Sequence, residues 1–181
     1  MPNHQPIIKD ARGVRSFATS AAAVLVFLVD ADERLLLLSG KPARLSGHWE
    51  VPSGAVQAEE TILDAALREL HEEIGPEVSV RPLGTVHVHT FRYDDEVQYM
   101  ICVCYLMAYE GGPIVPGDDM AGSQFRWWNL AEIMDDSVRI SVPTDQKWLM
   151  SRSVELYRLW KHSEVPLQPW TIRPAEGLST Q

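Results

Sequence analysis

The 181-residue sequence predicts a mixed α/β fold built on a single core. Three observations carry that prediction. Apolar runs of strand length recur at residues 21–29, 35–39 and 97–110, each bounded by turn-forming residues. One internal stretch has helical periodicity between cap signals, and a second amphipathic helix stands near the C-terminus. With 45% hydrophobic content, a chain of this length buries one good core and leaves no room for a second full domain.

The elements follow in order. Residues 1–16 are polar and contain Pro2 and Pro6, which suits a loosely ordered arm able to add an edge strand. Residues 21–29 and 35–39 read as strands around the turn from Asp30 to Arg34, followed by a loop over 40–47 that carries Lys41 and Arg44. Thr61 and Asp64 stand at capping-box spacing and Gly75 is placed as a C-cap, so residues 61–74 form a helix whose apolar face is Leu63, Leu67, Leu70 and Ile74. Residues 78–80 and 85–93 read as extended. Residues 97–110 follow across Asp94, Asp95 and Glu96, so a long hairpin is expected, ended by Gly111, Gly112 and Pro113.

Residues 117–123 form an acidic loop, 124–128 return as a strand, and 130–134 make a short helix. Over 144–162, Trp148, Leu149, Leu156, Leu159 and Trp160 give a helix one apolar face, interrupted by Arg152 and Ser153. That face suits packing on the sheet, with a homodimer contact as the alternative. Pro166, Pro169 and Pro174 mark an irregular tail. The division is therefore an arm at 1–16, one domain at 17–163 and a tail at 164–181.

Charge and composition exclude several classes. A net charge of −9 argues against binding a nucleic-acid duplex, which needs a basic footprint. The longest apolar run, residues 21–29, is too short to span a membrane, and a cytoplasmic protein is expected. Cys102 and Cys104 project to one face of a strand, too close in sequence for an ordinary disulfide, and read as buried thiols. No second Cys or His pair stands at zinc-site spacing.

Glu69, Glu72 and Glu73 are the exception to ordinary surface chemistry. They share one stripe of the helix, where like charges at i,i+3 and i,i+4 each cost about 0.2–0.5 kcal/mol, and the last two sit at its negative end. Arg68 offsets only part of this. An acidic helix face bathed in water would explain such a stripe; so would Mg²⁺, a hard cation that takes oxygen ligands. A cation there would also let an acidic protein accept an anionic phosphate substrate.

From Gly54 the segment resembles the Nudix box, G-x5-E-x7-R-E-U-x-E-E-x-G-U with U a bulky aliphatic residue. Gly54, Glu60, Arg68, Glu69, Leu70, Glu72, Glu73 and Gly75 match in register, and Pro76 departs at the last position. The resemblance extends over residues 18–135, through the approach strand from His48 to Gly54 and the late strand at Phe125, Trp127 and Trp128. Ser53 and Glu59 stand where the family more often has glycine.

The resemblance implies an α/β/α sandwich around a mixed sheet and Mg²⁺-dependent hydrolysis of a nucleoside diphosphate linked to another group, with Mn²⁺ as a substitute ion. It makes Glu72 and Glu73 principal metal ligands, Glu69 a ligand or the base that activates water, and the Ser53 backbone carbonyl a further ligand. Arg68 would orient the carboxylates and Glu60 would brace the loop. The carboxylate chemistry points to the same reaction class: neutralisation of a diphosphate by the cation, in-line attack by water and stabilisation of the leaving phosphate.

Beyond the box, Asp119 lies where relatives often place another acidic ligand or base, with a solvated turn residue as the alternative for it and Asp118. Lys41 and Arg44 are candidates for phosphate contact. His87 and His89 share a strand face with Phe91, read as a polar face, and Trp49 is expected at the cleft floor. Tyr93 stands about seventeen residues after the box, where family members that cleave dinucleoside polyphosphates carry a tyrosine. Phe91 and Arg92 stand where ADP-ribose-cleaving members carry a proline. The nucleotide substrate expected is thus a nucleoside or dinucleoside polyphosphate, with ADP-ribose or a nucleotide sugar as the alternative. A nucleotide-sensing module without catalysis and an isopentenyl-diphosphate isomerase-like enzyme are the competing classes. The intact box disfavours the first, and the lack of a second cysteine-and-glutamate constellation the other.

Overall fold

The computed structural model describes residues 7–39, 47–117, 120–140 and 147–163. Its centre is β3 (Ala21–Val29), paired in parallel with β8 (Met100–Gly111) from Ala21↔Met100 to Val29↔Ala108. On its outer side β8 takes β7 (Ser79–Phe91) in the expected antiparallel hairpin. The other side of β3 is shared by β4 (Leu35–Ser39) and β6 (Ser53–Ala55), both antiparallel. β4 in turn takes β5 (His48–Glu50) and β9 (Phe125–Trp128), and β10 (Arg139–Ile140) closes the edge in parallel with β5. The sheet is mixed and eight-stranded.

Strand alternation divides the core into two layers. Val24, Val26, Leu28, Leu36 and Leu38 face α1 (Ile62–Ile74) and pack on Ala65, Ala66, Leu70 and Ile74. Leu25, Phe27, Val29, Leu35 and Leu37 face the opposite way. They meet Ile133 of α2 (Leu130–Met134) and α3 (Lys147–Trp160). The result is the α/β/α sandwich.

Local chemistry sets the helix limits. Thr61 caps α1 with a reciprocal capping box to Asp64, and the Gly75 N–H donates to the His71 carbonyl at 3.0 Å. Asn129 and Glu132 repeat the capping box on α2.

Four expectations need correction. Residues 7–18 do not add an edge to the main sheet: β1 (Ile7–Lys9) and β2 (Ser16–Ala18) pair with each other as a separate hairpin. β7 runs through Pro82 and Gly84 without breaking, because register shifts flanking them absorb the mismatch. α3 does pack on the sheet, but on a different stripe from the one expected. Leu149, Met150, Ser153, Val154, Leu156 and Tyr157 are buried, whereas Trp148 and Leu159 are exposed. Ser153 belongs to the buried face because its hydroxyl donates to the Leu149 carbonyl at 2.7 Å, which satisfies it inside the helix. Trp49 is not a cleft residue. It packs edge-on to Trp128, ring centroids 4.9 Å apart, on the α3 side of the sheet.

Candidate active site

The site begins with the alternation of β6. The Val26 N–H donates to Pro52 O at 2.8 Å and the Val56 N–H to Ala22 O at 2.9 Å, with Gly54 opposite Val24 between them. Residues 52, 54 and 56 therefore turn their backbone groups to β3, and residues 53 and 55 turn theirs away, toward α1. Both of these are engaged. The Ser53 N–H donates to Glu73 Oε2 at 3.0 Å, and Ala55 O accepts from Arg68 Nη2 at 3.0 Å. Because the N–H and C=O of one strand residue point the same way, the Ser53 carbonyl faces the side on which buried Glu73 lies.

Arg68 organises the other carboxylates. Its Nε and Nη2 grip Glu60 Oε2 and Oε1 at 3.0 and 2.8 Å, and its Nη1 donates to Glu69 Oε1 at 2.7 Å and Glu72 Oε2 at 3.0 Å. With Ala55 O, these contacts use all five guanidinium donors. Glu60 Oε1 also accepts the Gln57 N–H at 2.6 Å, which ties the loop before the helix to the same cation. A lysine could not replace this fork, since it lacks the planar pair of donors.

Gly54 shapes the space between strand and helix. A Cβ built there would lie 1.9 Å from the Glu69 carboxyl carbon and 2.1 and 2.2 Å from its oxygens. The Glu69 carboxylate thus occupies the hollow that the missing side chain leaves. Burial is the largest influence on this carboxyl and pushes its pKa up, against the opposing pull of Arg68. Glu60 shifts the other way, held below its usual value chiefly by its hydrogen bonds to Arg68. Glu69 and Glu60 are therefore separated in proton affinity although one guanidinium binds both.

Beside Ser53, Gly54 and Ala55 opens a cavity of about 670 Å³ that also takes in Glu50, Phe91, Arg92, Tyr93, Val97, Met100 and Cys102. Tyr93 is 64% exposed at its mouth. Arg92 is turned toward the connection between β7 and β8, where it contacts the Asp95 carboxylate and the Asp94 carbonyl. Lys41, Arg44 and Asp119, together with Asp118, lie outside the described residues. Sequence reasoning missed Glu50 and Met100 as cavity residues. The available signal was parity: Glu50 stands three residues before Ser53, but only the pairing of β5 with β4, Leu38↔Glu50, shows which side it faces.

The donor set around β6 and α1 is all oxygen, from Glu69, Glu72, Glu73 and the Ser53 carbonyl, which suits a hard divalent cation. These oxygens are held in place by Arg68 and by the Ser53 N–H; among the described residues, the glutamates do not form a group with all ligand atoms within 4.8 Å of one another. Mg²⁺ keeps several waters in protein sites and takes only one or two carboxylates directly, so the residues fit that ion by the type of their donors.

The chain is similar to several known proteins. The NUDIX domain model matches residues 19–149. An ADP-ribose pyrophosphatase from Methanocaldococcus jannaschii is 28% identical over 117 residues, covering 65% of this chain and 68% of the relative. The phosphatase NudJ of Escherichia coli is 32% identical over 91 residues, covering 49% of this chain and 56% of NudJ, so the chain spans little more than half of that protein. Among solved structures, the NUDIX domain of Shewanella oneidensis NrtR complexed with ADP ribose superposes with a TM-score of 0.56 at 20% identity, covering 79% of this chain and 91% of that one.

Proposed function

The chain belongs to the NUDIX hydrolase family, and from that premise we propose that it hydrolyses the pyrophosphate linkage of a nucleoside diphosphate derivative with Mg²⁺ as its ion. The observation that carries the proposal is the Arg68 fork, which gathers Glu60, Glu69 and Glu72 and binds the carbonyl of Ala55, a residue that lines a nucleotide-sized cavity. Mg²⁺ bound by Glu72, Glu73, Glu69 and the Ser53 carbonyl would supply charge neutralisation of the diphosphate and acidification of water. Mn²⁺ can substitute for it.

The residues of the chain do the rest. Glu73 fixes the Ser53 backbone to the helix, and Arg68 keeps Glu69 in the Gly54 hollow, from which its carboxylate orients water and takes its proton. Glu60 anchors Arg68 and the loop from Gln57. Tyr93 offers its ring to a base at the cavity mouth, and Lys41 and Arg44 are candidate phosphate contacts.

Tyr93 favours a nucleoside or dinucleoside polyphosphate. A second reading, ADP-ribose, is supported by the name of the archaeal relative and by the ligand of the NrtR domain. A substrate panel with Mg²⁺ or Mn²⁺ tests both: dinucleoside polyphosphates, nucleoside triphosphates, ADP-ribose and sugar nucleotides, with products identified. Glu72→Gln and Glu73→Gln should each remove most turnover while the protein stays folded. Binding without products across the panel would favour a nucleotide sensor and overturn hydrolysis.

A further inference from the structure

On the opposite face of the sheet from α1, β7 and β8 bring together three groups that the proposed reaction does not use. The register sets His89 directly across from Cys102 and His87 across from Cys104. Cys102 and Cys104 are free and buried, and ligand atoms of His89, Cys102 and Cys104 all lie within 4.8 Å of one another. It is the one such group of His, Cys, Asp or Glu among the described residues. Both ring nitrogens of His89 are buried without a hydrogen-bond partner. An unpartnered buried polar group costs about 1–3 kcal/mol, so a purely structural imidazole would be poorly placed here.

We propose that His89, Cys102 and Cys104 form a zinc site, separate from the carboxylate site and selective for a soft or borderline ion. One nitrogen and two sulfurs are the donors that Zn²⁺ takes in tetrahedral sites, at about 2.0–2.1 and 2.3 Å. Those bond lengths put neighbouring ligand atoms roughly 3.5–3.8 Å apart, inside the 4.8 Å within which the three groups already lie. Each thiol that ligates releases its proton to solvent, and two thiolates against one Zn²⁺ leave the buried site neutral. The ion has a route in, because Cys102 also lines the cavity beside β6. His87 stacks on His89 with ring centroids 5.5 Å apart. The ion would pin β7 to β8 at the cavity wall formed by Phe91, Met100 and Cys102.

The test uses the full chain, stripped with a chelator and titrated with Zn²⁺ against a chromophoric competitor while Mg²⁺ in large excess saturates the carboxylates. One equivalent should bind. Affinity should fall by roughly a hundredfold or more in Cys102→Ser, Cys104→Ser and His89→Gln, since even the outer partners of a metal ligand are worth 10- to 100-fold. Glu72→Gln should bind as the parent does. With Co²⁺ in place of Zn²⁺, the unsubstituted protein should show thiolate-to-metal charge-transfer absorption, a readout that requires no variant to fold. Absence of that absorption, retention of Zn²⁺ by both serine variants, or its loss in Glu72→Gln would each overturn the site.

Discussion

Gly54→Ala isolates the fit between strand and helix. The glycine is not in the left-handed region, so alanine suits the backbone, and the three atoms nearest its Cβ all belong to the Glu69 carboxylate. The new Cβ would lie 1.9–2.2 Å from the carboxylate, against an ordinary contact of 3.4–4 Å, so the carboxylate must retreat by about 1.2–1.5 Å. That movement breaks its 2.7 Å bond from Arg68, worth about 1.5–3 kcal/mol for a charged pair, and adds an off-rotamer cost of about 0.5–1.5 kcal/mol. A displacement energy of roughly 2–4 kcal/mol expressed in the transition state lowers the rate about 30- to 1000-fold. The assay is Mg²⁺-dependent turnover of the best panel substrate, run as a double-mutant cycle with Glu69→Ala and accompanied by thermal melts. Once Glu69 is alanine, Gly54→Ala should cost less than about threefold, because its closest clash has gone. Losses that multiply, or full activity in Gly54→Ala, would refute the assignment of the hollow.

Three further outcomes follow from contacts on the same chain. Gly84→Ala would place a Cβ 2.8 Å from Trp160 on a backbone with φ +159°, so the overpacking, worth about 1–3 kcal/mol, should lower Tm by roughly 3–10 °C, and Gly84→Ala should cost less in a Trp160→Leu background than in the parent; an unchanged Tm would deny that packing. Arg68 lowers the pKa of Glu60 in the folded state, so this carboxylate stabilises the fold above its unfolded pKa and loses that effect as pH falls through the folded value. The Tm gap between parent and Glu60→Gln should therefore close with acidification; a gap independent of pH would show that the charge of Glu60 is not what matters. Tyr93→Ala should raise KM roughly 5- to 100-fold with a smaller change in kcat, from the loss of about 1–3 kcal/mol of base stacking, and an unaltered KM would place the base elsewhere.

Where chemistry is local, sequence was enough. Thr61, Asp64 and Gly75 delimit α1 because caps act over one turn, and the box spacing delivers Arg68 beside Glu69 and Glu72. The bidentate grip of Arg68 on Glu60 crosses from loop to helix and was not foreseen; the resemblance implied only that Glu60 braces the loop. Long-range features were less legible. The face of α3 was misjudged because Ser153 looks polar in the sequence yet satisfies itself on Leu149. The meeting of His89 with Cys102 depends on the hairpin register, which runs unbroken from Phe91↔Met100 to His87↔Cys104 and is set by the connection over residues 92–99, which no spacing rule anticipates. Likewise, the Glu69 hollow is a relation between β6 and α1, visible only after both are docked.

The pairing of β3 carries a lesson for biosynthesis. Its full-length neighbour is β8, and the chain must travel through four other strands and the box helix before Met100 can settle against Ala21. Until then the most apolar strand of the protein leaves the ribosome with an open edge, a state that invites pairing with other chains. Closure of so distant a contact is slow, so yield in the cell should depend on chaperone capacity more than on the final stability of the enzyme.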